Sequence, residues 1–429
     1  MPLQDRGPKG FDMSQASITG QSRQNPAIAF NPLQDGYFDD PYAHYAELRE
    51  KDPVHLSMLG MPICFGFEDI RRVLTDGTTS MNKSRANEAA GLPPLDDDGE
   101  LFSTAVIAID APDHTRIRRL MMTRSFTPRK VNALSDQIAA DVDRLVGDVE
   151  RRWQETGEPV DLVSTFAFPL PFKVISDLIG MPERDHQQVR EWAGAFSAVT
   201  DPASGPEKVA AARVAYSAIR DYVTGEVLPW KRTHPADDLL SGLLVACDDG
   251  ELTQQELVDQ VCLLYVAGHE TTVSLIANSI LNLLRNRSQL ERLRSGPEVL
   301  TAAIEELNRF DSAIQFGWRY TLSDLMIRDT VIPPGQMILL CLGSANRDPS
   351  HFGEDADCLV LDRPNAHEAL SFGAGSHFCL GNALARREAT MAIGKFFERF
   401  PNAELTGPPQ WNTQITFRGL RSLEVALSS

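Results

Sequence analysis

One cysteine in this sequence stands in surroundings that suggest chemistry. The stretch FGAGSHFCLG, from Phe372 to Gly381, places Cys379 among three glycines and His377, and a helix-like run, NALARREATMAIGKFF, follows at once. Three interpretations are open for such a residue: a buried structural thiol, a nucleophile beside a base, or a metal ligand. The other five cysteines stand singly and none forms a C-x-x-C pair, so a zinc ribbon or dithiol redox site is not expected.

A long apolar helix is predicted in the second half of the chain. It runs from Leu252 to Asn286, which corresponds to about 50 Å at the rise of an α-helix. Thr253 and Glu256 have the spacing of a capping box at its start. Because its middle is apolar on nearly all faces, we expect this helix to be buried.

The polar segment AGHETT interrupts this helix at residues 267–272. A glycine such as Gly268 costs a helix interior about 1 kcal/mol relative to alanine, and a glutamate such as Glu270 is rarely buried without a partner. We expect the hydroxyl of Thr271 to bond to the carbonyl of Ala267, four residues back, and to bend the helix. Two interpretations are open for the segment. Either Glu270 and Thr271 form a polar site inside a buried helix, or the segment is a bend required by packing and Glu270 faces solvent.

Basic side chains concentrate between residues 112 and 130, where six Arg or Lys accompany one acid in a chain of formal net charge −18. His114 and Arg118 lie four apart and therefore on one face of a helix. Two such donors can clamp a carboxylate or a phosphate, although a solvated basic face is the alternative. Further on, Glu306 and Arg309 lie three apart, a spacing that alone indicates only a surface ion pair.

The bulk composition is that of a globular protein. The 429 residues are 42% hydrophobic and 23% charged, which are ordinary values. The acidic net charge disfavours nucleic acid as a partner, no apolar stretch reaches the ~20 residues that cross a bilayer, and the first residues lack the apolar region of a signal peptide. We expect a cytoplasmic monomer with no membrane partner, a disordered tail at residues 1–25 and one domain over residues 26–429.

The element pattern predicts a mainly α fold with a minor β region. Helices are expected at PYAHYAELREKD, FEDIRRVLTD, VNALSDQIAADVDRLVGDVERRWQETG and FKVISDLIGM, and near residues 186–199 and 206–227. Strands are expected at VHLSML with PICFGF, and at LMIRDTVIPPGQMILLCL, where Pro333-Pro334-Gly335 predicts a hairpin turn. A long loop is predicted at residues 82–103, and it is either a lid or binding loop or a solvated surface loop.

Taken in order, four motifs resemble the cytochrome P-450 family of heme-thiolate monooxygenases, and most closely its soluble bacterial members. They are AGHETT, the E-x-x-R pair at 306 and 309, Arg363-Pro364, and F-G-x-G-x-H-x-C-x-G at 372–381. The D-H-x-x-x-R segment at 113–118 and SANRDPSHF at 344–352 are also similar to the family, and the resemblance extends from about residue 30 to the C-terminus. It implies the cytochrome P450 fold, with heme b buried between the helix at about 252–286 and the cysteine loop and helix at about 372–398.

The resemblance also implies roles for individual residues. Cys379 is expected to ligate the heme iron as a thiolate, which favours O–O cleavage, and Glu270 and Thr271 are expected to deliver protons to dioxygen. Other residues match the family's heme site, heme propionate positions, structural triad and distal pocket. These are Ala267, Gly268, Phe372, Gly373 and Gly381 at the heme; His114, Arg118, Arg319 and His377 at the propionates; Glu306, Arg309 and Arg363 in the triad; and Leu263, Val266, Ala267, Ile314, Gln315 and Thr416 in the pocket.

The activity implied is O₂-dependent hydroxylation or epoxidation of a hydrophobic small molecule, with Gln315 as a polar anchor. Electrons from NAD(P)H would arrive through a ferredoxin or flavodoxin with its reductase, and Arg116, Arg119 and Arg124 are candidates for the docking face. A peroxide-driven oxygenase of the same fold is one alternative, although such proteins usually replace the acid–alcohol pair. A heme-thiolate sensor or binding protein is the other, and it would need the cysteine loop but not Glu270 and Thr271.

Overall fold

The computed structural model of the protein describes residues 28–58, 60–93, 101–124, 126–182, 186–196, 204–294 and 296–427. The tail predicted at residues 1–25 lies outside these ranges, as does the acidic cluster at 96–100 within the first predicted loop. The division into a tail and one domain over residues 26–429 stays a prediction.

Helices make up most of the described chain, as the sequence predicts. In chain order they are α1 (Tyr42–Lys51), α2 (Phe67–Thr75), α3 (Lys83–Ala89), α4 (Asp113–Arg124), α5 (Pro128–Ala133), α6 (Ser135–Thr156), α7 (Pro169–Ile179), α8 (His186–Phe196), α9 (Pro206–Tyr222), α10 (Leu228–Thr233), α11 (Leu239–Asp248), α12 (Gln254–Arg285), α13 (Arg287–Leu293), α14 (Pro297–Phe310), α15 (Leu342–Ala345), α16 (Pro349–Phe352) and α17 (Asn382–Arg399). Two π-helical turns, Val163–Ala167 and Val223–Val227, precede α7 and follow α9.

The strands are short and form four small sheets. They are β1 (Val54–Leu56), β2 (Pro62–Cys64), β3 (Thr79–Ser80), β4 (Val160–Asp161), β5 (Phe316–Thr321), β6 (Leu325–Ile327), β7 (Thr330–Ile332), β8 (Met337–Cys341), β9 (Glu404–Leu405), β10 (Gln410–Trp411), β11 (Leu420–Ser422) and β12 (Glu424–Ala426). The largest sheet has the order β1-β2-β8-β5-β3, with only β2 and β8 parallel, and the others are β4-β12-β9, β10-β11 and β6-β7.

Helix α12 lies at the centre of the largest apolar core, as its composition predicts. The predicted capping box is present, since the side chain of Thr253 accepts from the backbone of Glu256 and the side chain of Glu256 accepts from the backbone of Thr253. Residues 257–266 and 272–284 are all buried, and α12 packs against α7 and α17. The helix therefore carries residues 267–271 into the interior between two buried runs.

A buried charged cluster joins the two ends of the described chain. The Asp311 carboxylate accepts from Tyr42 on α1 (2.8 Å), from Asn282 on α12 (2.9 Å) and from Arg418 (2.7 Å). Arg418 also donates to the carbonyl of Phe38 at 2.6 Å. Burial acts to raise the pKa of Asp311, but the guanidinium groups of Arg418 and Arg347 and the hydrogen bonds from Asn282 and Tyr42 together outweigh it, and the pKa lies below its usual range.

Two local predictions were wrong. The tight hairpin joins β6 and β7 at Arg328 and Asp329, with Arg328 at a φ of 51°. Pro333-Pro334-Gly335 instead leads from β7 into β8, which pairs with β2 and β5 in another sheet. The loop predicted at 82–103 contains α3, whose first turn is capped by the side chain of Asn82. The sequence does not show the apolar periodicity of a helix here, because only one of the seven residues of α3, Ala86, is buried.

Candidate active site

The cysteine loop is built from tight turns between the turn Leu370–Phe372 and helix α17. Gly373 and Gly375 both have a φ of 71°, a backbone conformation that favours glycine. A Cβ on Gly375 would lie 2.8 Å from the carbonyl oxygen of Leu74 at the end of α2. The loop closes where the backbone N–H of Cys379 donates to the carbonyl of Phe372 at 2.9 Å. Gly375 is thus explained by contact with α2, a neighbour that the sequence motif does not reveal.

The thiol of Cys379 lies among groups that favour a negative sulfur. Burial raises the pKa of this thiol, while backbone hydrogen bonds from Gly381 and Asn382 and the guanidinium groups of Arg118 and Arg386 lower it. A bound metal ion deprotonates a coordinating thiol outright. Burial is the largest of these effects, so the pKa of the thiol lies above its usual range, and a bound metal ion is what would hold the sulfur as a thiolate.

Cationic side chains meet beside this loop. Arg118 on α4 donates to the carbonyl of Phe378 at 2.6 Å, and the rings of His114 and His377 lie 4.2 Å apart. Arg319 on β5 is 7% exposed and donates to the carbonyl of Trp318 at 2.9 Å. The four residues predicted to hold propionates are thus gathered at one place from three separate segments.

This cluster has the electrostatics of a site for an anion. Burial and the charge of Arg319 lower the pKa of His377 to about 3, and burial lowers the pKa of Arg319 to about 10. Among the described residues, the buried Nε2 of His114 has no hydrogen-bond partner. The cluster and the thiol together fit heme, whose carboxylates would meet the cations while its iron meets the sulfur.

The polar segment of α12 forms an accessible patch in a helix that is otherwise buried. Ala267 is exposed, and Gly268, Glu270 and Thr271 are half-buried. The Thr271 hydroxyl donates to the carbonyl of Ala267 at 2.7 Å, as the sequence predicts, while the helix continues without a break. A Cβ on Gly268 would lie 2.8 Å from Cδ1 of Ile175 on α7, so the group that approaches this glycine is a side chain of α7.

The three residues of the predicted structural triad meet in the interior. Arg309 forms two hydrogen bonds to Glu306, at 2.6 and 2.8 Å, and both side chains are fully buried. Arg363 donates to the same carboxylate at 3.2 Å. Arg309 also donates to the carbonyls of Asn346 and Ala356, which fixes the backbone segments that lead to the cysteine loop.

The predicted pocket residues fall into two groups. Leu263 and Val266 are buried on α12, about one turn and one residue before the polar patch, respectively. Ile314 forms an isolated bridge with Phe417, and Thr416 is buried beside it. The first group thus lies on α12, and the second lies where the segments around Ile314 and Phe417 pair.

The side-chain amide of Gln315, which was predicted to anchor a substrate, donates two hydrogen bonds to buried partners, while its Oε1 has no hydrogen-bond partner among the described residues. The amide donates to the carbonyl of Ser312 at 2.7 Å and to the hydroxyl of Tyr42 at 3.2 Å. Its Oε1 lies so close to Gly343 that a Cβ there would be 2.2 Å away. Gln315 is 2% exposed and belongs to the buried packing around Tyr42.

Three polar residues of α17 were not predicted from the sequence: Asn382 and Arg386, which lie near the cysteine, and Glu388 further along the helix. The amide of Asn382 donates to the carbonyl of Cys379 at 2.6 Å. The guanidinium of Arg386 lies 4.4 Å from the ring centroid of Phe372 and pairs with Glu305. Glu388 is 2% exposed, and among the described residues its Oε2 has no hydrogen-bond partner. The four-residue spacing from Asn382 to Arg386 is the one sequence signal that could have indicated the first two.

The buried Glu388 should make folding stability depend on pH. Burial raises the pKa of Glu388 well above its usual range, so the folded state holds a proton that the unfolded state releases above about pH 4.3. This contribution is fully present below that pH and is lost as pH rises towards the folded pKa. We expect Glu388→Gln to remove a slope of up to about 1.4 kcal/mol per pH unit.

Urea unfolding of both proteins between about pH 5 and pH 8 measures this slope, and the advantage of Glu388→Gln should grow with pH. Glu398→Gln is the matched control, because Glu398 lies on the same helix with its side chain 71% exposed. An advantage that does not change with pH would show that Glu388 is ionised in the folded protein.

Comparisons with known proteins show the family to which this fold belongs. The family model described as Cytochrome P450 matches residues 297–420. Cytochrome P450 107B1 of Saccharopolyspora erythraea is 38% identical, with 92% of this chain and 96% of that protein covered. Vitamin D(3) 25-hydroxylase of Pseudonocardia autotrophica is 36% identical over 86% of this chain and 88% of that protein. The solved structure of the bacillaene polyketide synthase cytochrome P450 PksS of Bacillus subtilis has a TM-score of 0.83 and 32% identity, covering 93% of this chain and all of that one.

A mainly helical fold that combines a glycine-rich cysteine loop with a polar interruption in its buried central helix is that of a heme-thiolate oxygenase. The chain belongs to the cytochrome P450 family. It is accordingly a monooxygenase that binds heme b and hydroxylates or epoxidises a hydrophobic small molecule with electrons from redox partners. In the described residues, no helix combines the length and the apolarity that crossing a membrane requires.

Proposed function

We propose that Cys379 is the thiolate ligand of the heme iron and that His114, Arg118, Arg319 and His377 hold the heme carboxylates. The observation that carries this proposal is the meeting of the thiol, its N–H donors and the four cationic or histidine side chains at one loop. Bound heme supplies the activation of dioxygen and the transfer of one oxygen atom to the substrate.

Glu270 and Thr271 serve this chemistry by supplying protons. Thr271 holds a proton at Oγ1, in a hydrogen bond to the carbonyl of Ala267, which is an exposed residue. The preceding residue, Glu270, is half-buried. Glu270 can exchange protons with solvent and pass them to Thr271, since it is the ionisable residue of the accessible patch. The stretches of α12 before and after this segment, 257–266 and 272–284, are buried, so they give solvent no other route to Thr271 along the helix.

Thr271→Ala should retain heme but separate electron consumption from product formation. Loss of the hydroxyl removes a positioned proton donor, so product formed per NAD(P)H consumed should fall by about ten-fold or more, with hydrogen peroxide released instead. Product and peroxide are measured together with NAD(P)H oxidation, once a ligand screen has identified a turnover substrate.

Thr272→Val is the matched control, because the hydroxyl of Thr272 donates to the carbonyl of Gly268 at 3.3 Å from a buried position one residue further on. Its coupling should equal that of the wild type. Unchanged coupling in Thr271→Ala would remove Thr271 from proton delivery. Efficient product formation with added peroxide alone would favour the peroxide-driven alternative.

The substrate is proposed to be a bulky, mainly apolar molecule of the size of a polyketide or sterol. Two relatives carry names that refer to such molecules, a polyketide synthase cytochrome P450 and a vitamin D(3) hydroxylase. In this chain the candidate pocket residues are apolar or buried: Leu263, Val266, Ala267, Ile314 and Thr416. With Gln315 turned away, the described part of this set offers no amide anchor, so shape should decide binding more than hydrogen bonding does.

The electron donor is proposed to be a ferredoxin or flavodoxin that docks near α4. Arg119 is exposed, next to Arg118, which contacts the cysteine loop. Arg116 is less suited, because Asp113 and Glu256 pair with it, and the stem of Arg124 packs against Gly242. Arg119 is thus the strongest remaining candidate of the three arginines for contact with an acidic partner.

Arg119→Glu should slow reduction by an acidic ferredoxin and should weaken the salt dependence of the rate. A charge reversal near the docking face changes association by roughly ten-fold at low ionic strength. Stopped-flow reduction under carbon monoxide measures this rate, and Arg152→Glu, an exposed arginine of α6, is the control. A rate that is insensitive to salt and to Arg119→Glu would place the docking face elsewhere.

A further inference from the structure

A buried hydrogen-bond network attaches two other segments to the first half of α12. Its centre is the carboxylate of Asp259, which is fully buried. This carboxylate accepts from the backbone N–H and the hydroxyl of Thr104 (3.1 and 2.7 Å), the hydroxyl of Tyr216 (2.5 Å) and the amide of Gln255 (2.8 Å). Thr104 lies in the turn-rich segment 101–109, here called the strap, and Tyr216 lies on α9.

Gln260, the next residue of α12, also forms hydrogen bonds with the strap. The side-chain oxygen of Gln260 accepts from the backbone of Val106 at 2.8 Å, and its amide donates to the carbonyl of Thr104 at 3.0 Å. The rings of Phe102 and Tyr216 meet edge to face, with centroids 5.0 Å apart. The strap is therefore held to α12 mainly through its own backbone, and to α9 through an aromatic contact and a shared acceptor.

The network lies on the face of α12 that leads to the polar patch. Residues four apart on an α-helix lie on nearly the same face. On α12 this holds for the series Asp259, Leu263, Ala267 and Thr271. Asp259 precedes Ala267 by about 12 Å along the axis. The strap and α9 thus cover α12 just before its surface becomes accessible at Ala267.

A stability role alone does not account for this arrangement. All four hydrogen bonds to the buried carboxylate come from neutral donors, and a buried charge of this kind is commonly less stable than apolar packing of the same volume. A carboxylate that bridges three segments instead couples their opening, because a buried carboxylate that loses one donor is left under-satisfied, and this penalises the closed arrangement of the others.

We propose that Asp259 is a latch that holds the strap and α9 together over the path to the substrate side of α12. The hydrogen bond from the hydroxyl of Tyr216 to Asp259 is the one that breaks when the latch opens. Together they set the rate at which bulky ligands enter and leave, and they act as positioning residues that do not touch the reacting atoms. The proposal rests on the proposed use of the Ala267–Thr271 face as the substrate side.

Tyr216→Phe tests the latch in the heme-loaded protein. It keeps the ring against Phe102 and leaves Asp259 its three other hydrogen bonds, so the variant should fold. Clotrimazole serves as a bulky heme ligand and imidazole as a small one. We expect clotrimazole association and dissociation to become about ten-fold faster, since one hydrogen bond to a charged group is lost, and imidazole rates to change by less than about two-fold.

Hydrogen–deuterium exchange tests the latch independently of any heme ligand or activity, and backbone exchange at 101–109 should become faster in Tyr216→Phe. Tyr265→Phe is the matched control, because its hydroxyl also makes one buried contact, to Ser176 at 3.4 Å, but towards α7. Unchanged exchange in the strap would overturn the latch. Equal acceleration of both ligands, or the same effects in Tyr265→Phe, would also overturn it. Faster exchange with unchanged clotrimazole rates would overturn its role in ligand entry and would leave the proton-delivery proposal untouched.

Discussion

Cys379→Ser protein, reduced and exposed to carbon monoxide, should lack the long-wavelength Soret band of a thiolate-ligated heme, and its monooxygenase turnover should fall to background. Serine keeps the shape of the side chain but supplies a hard, weakly donating oxygen in place of sulfur. The N–H groups of Gly381 and Asn382 and the guanidinium of Arg118, which favour a negative sulfur, would then face a neutral hydroxyl. The difference spectrum and a turnover assay with a surrogate ferredoxin system measure the two effects.

Cys358→Ser provides the control for this substitution. Cys358 is an exposed free cysteine, and its backbone carbonyl, rather than its sulfur, takes part in the contacts of Arg309. Its spectrum and activity should match those of the wild type. A Cys379→Ser protein that kept the thiolate spectrum would require another sulfur ligand and would overturn the assignment of the site.

Glu306→Ala should destabilise the protein by about 3–5 kcal/mol, the usual cost of removing one partner of a buried ion pair. Arg309 and Arg363 would remain in the interior without the carboxylate that now accepts hydrogen bonds from both. The backbone N–H of Val360 would lose its acceptor as well, which is now Glu306 at 2.9 Å. Urea unfolding followed by circular dichroism measures the free energy, and heme content after purification reports on the cysteine loop.

Glu68→Ala is the contrasting case. Glu68 and Arg71 form an ion pair in which both side chains are more than half exposed, and such pairs contribute about 1 kcal/mol or less. A similar small effect for Glu306→Ala would mean that the triad is not needed for folding. A protein that folds normally but loses heme would instead place the role of the triad in the loop.

The sequence predicted those features whose causes are local or are carried by motifs. The start of α12 needs only Thr253 and Glu256, and the hydrogen bond of Thr271 needs only Ala267 in the same helix. The gathering of the triad and of the propionate residues followed from the family resemblance, because their partners lie far apart in the chain. The direction of Gln315 depends on Tyr42, 273 residues away, and no local pattern contains that information.

Other errors have equally specific causes. The hairpin turn uses Arg328, a non-glycine residue at positive φ, whereas the glycine that attracted the prediction, Gly335, turns the chain between two different sheets. Glu388 was overlooked because its helix pattern gives no sign that a glutamate is completely enclosed. In each case tertiary packing overrides a local preference.

The cluster around Asp311 has a consequence for the order in which the protein assembles. The hydrogen bond from Arg418 to Phe38 joins residues that are 380 positions apart, so 380 further residues must be synthesised after Phe38 before this bond can form. A chain emerging at about 5–20 residues per second would spend many seconds with α1 lacking its final partner. Helix α1 therefore gains this contact only after all of the elements between it and Arg418 have been synthesised.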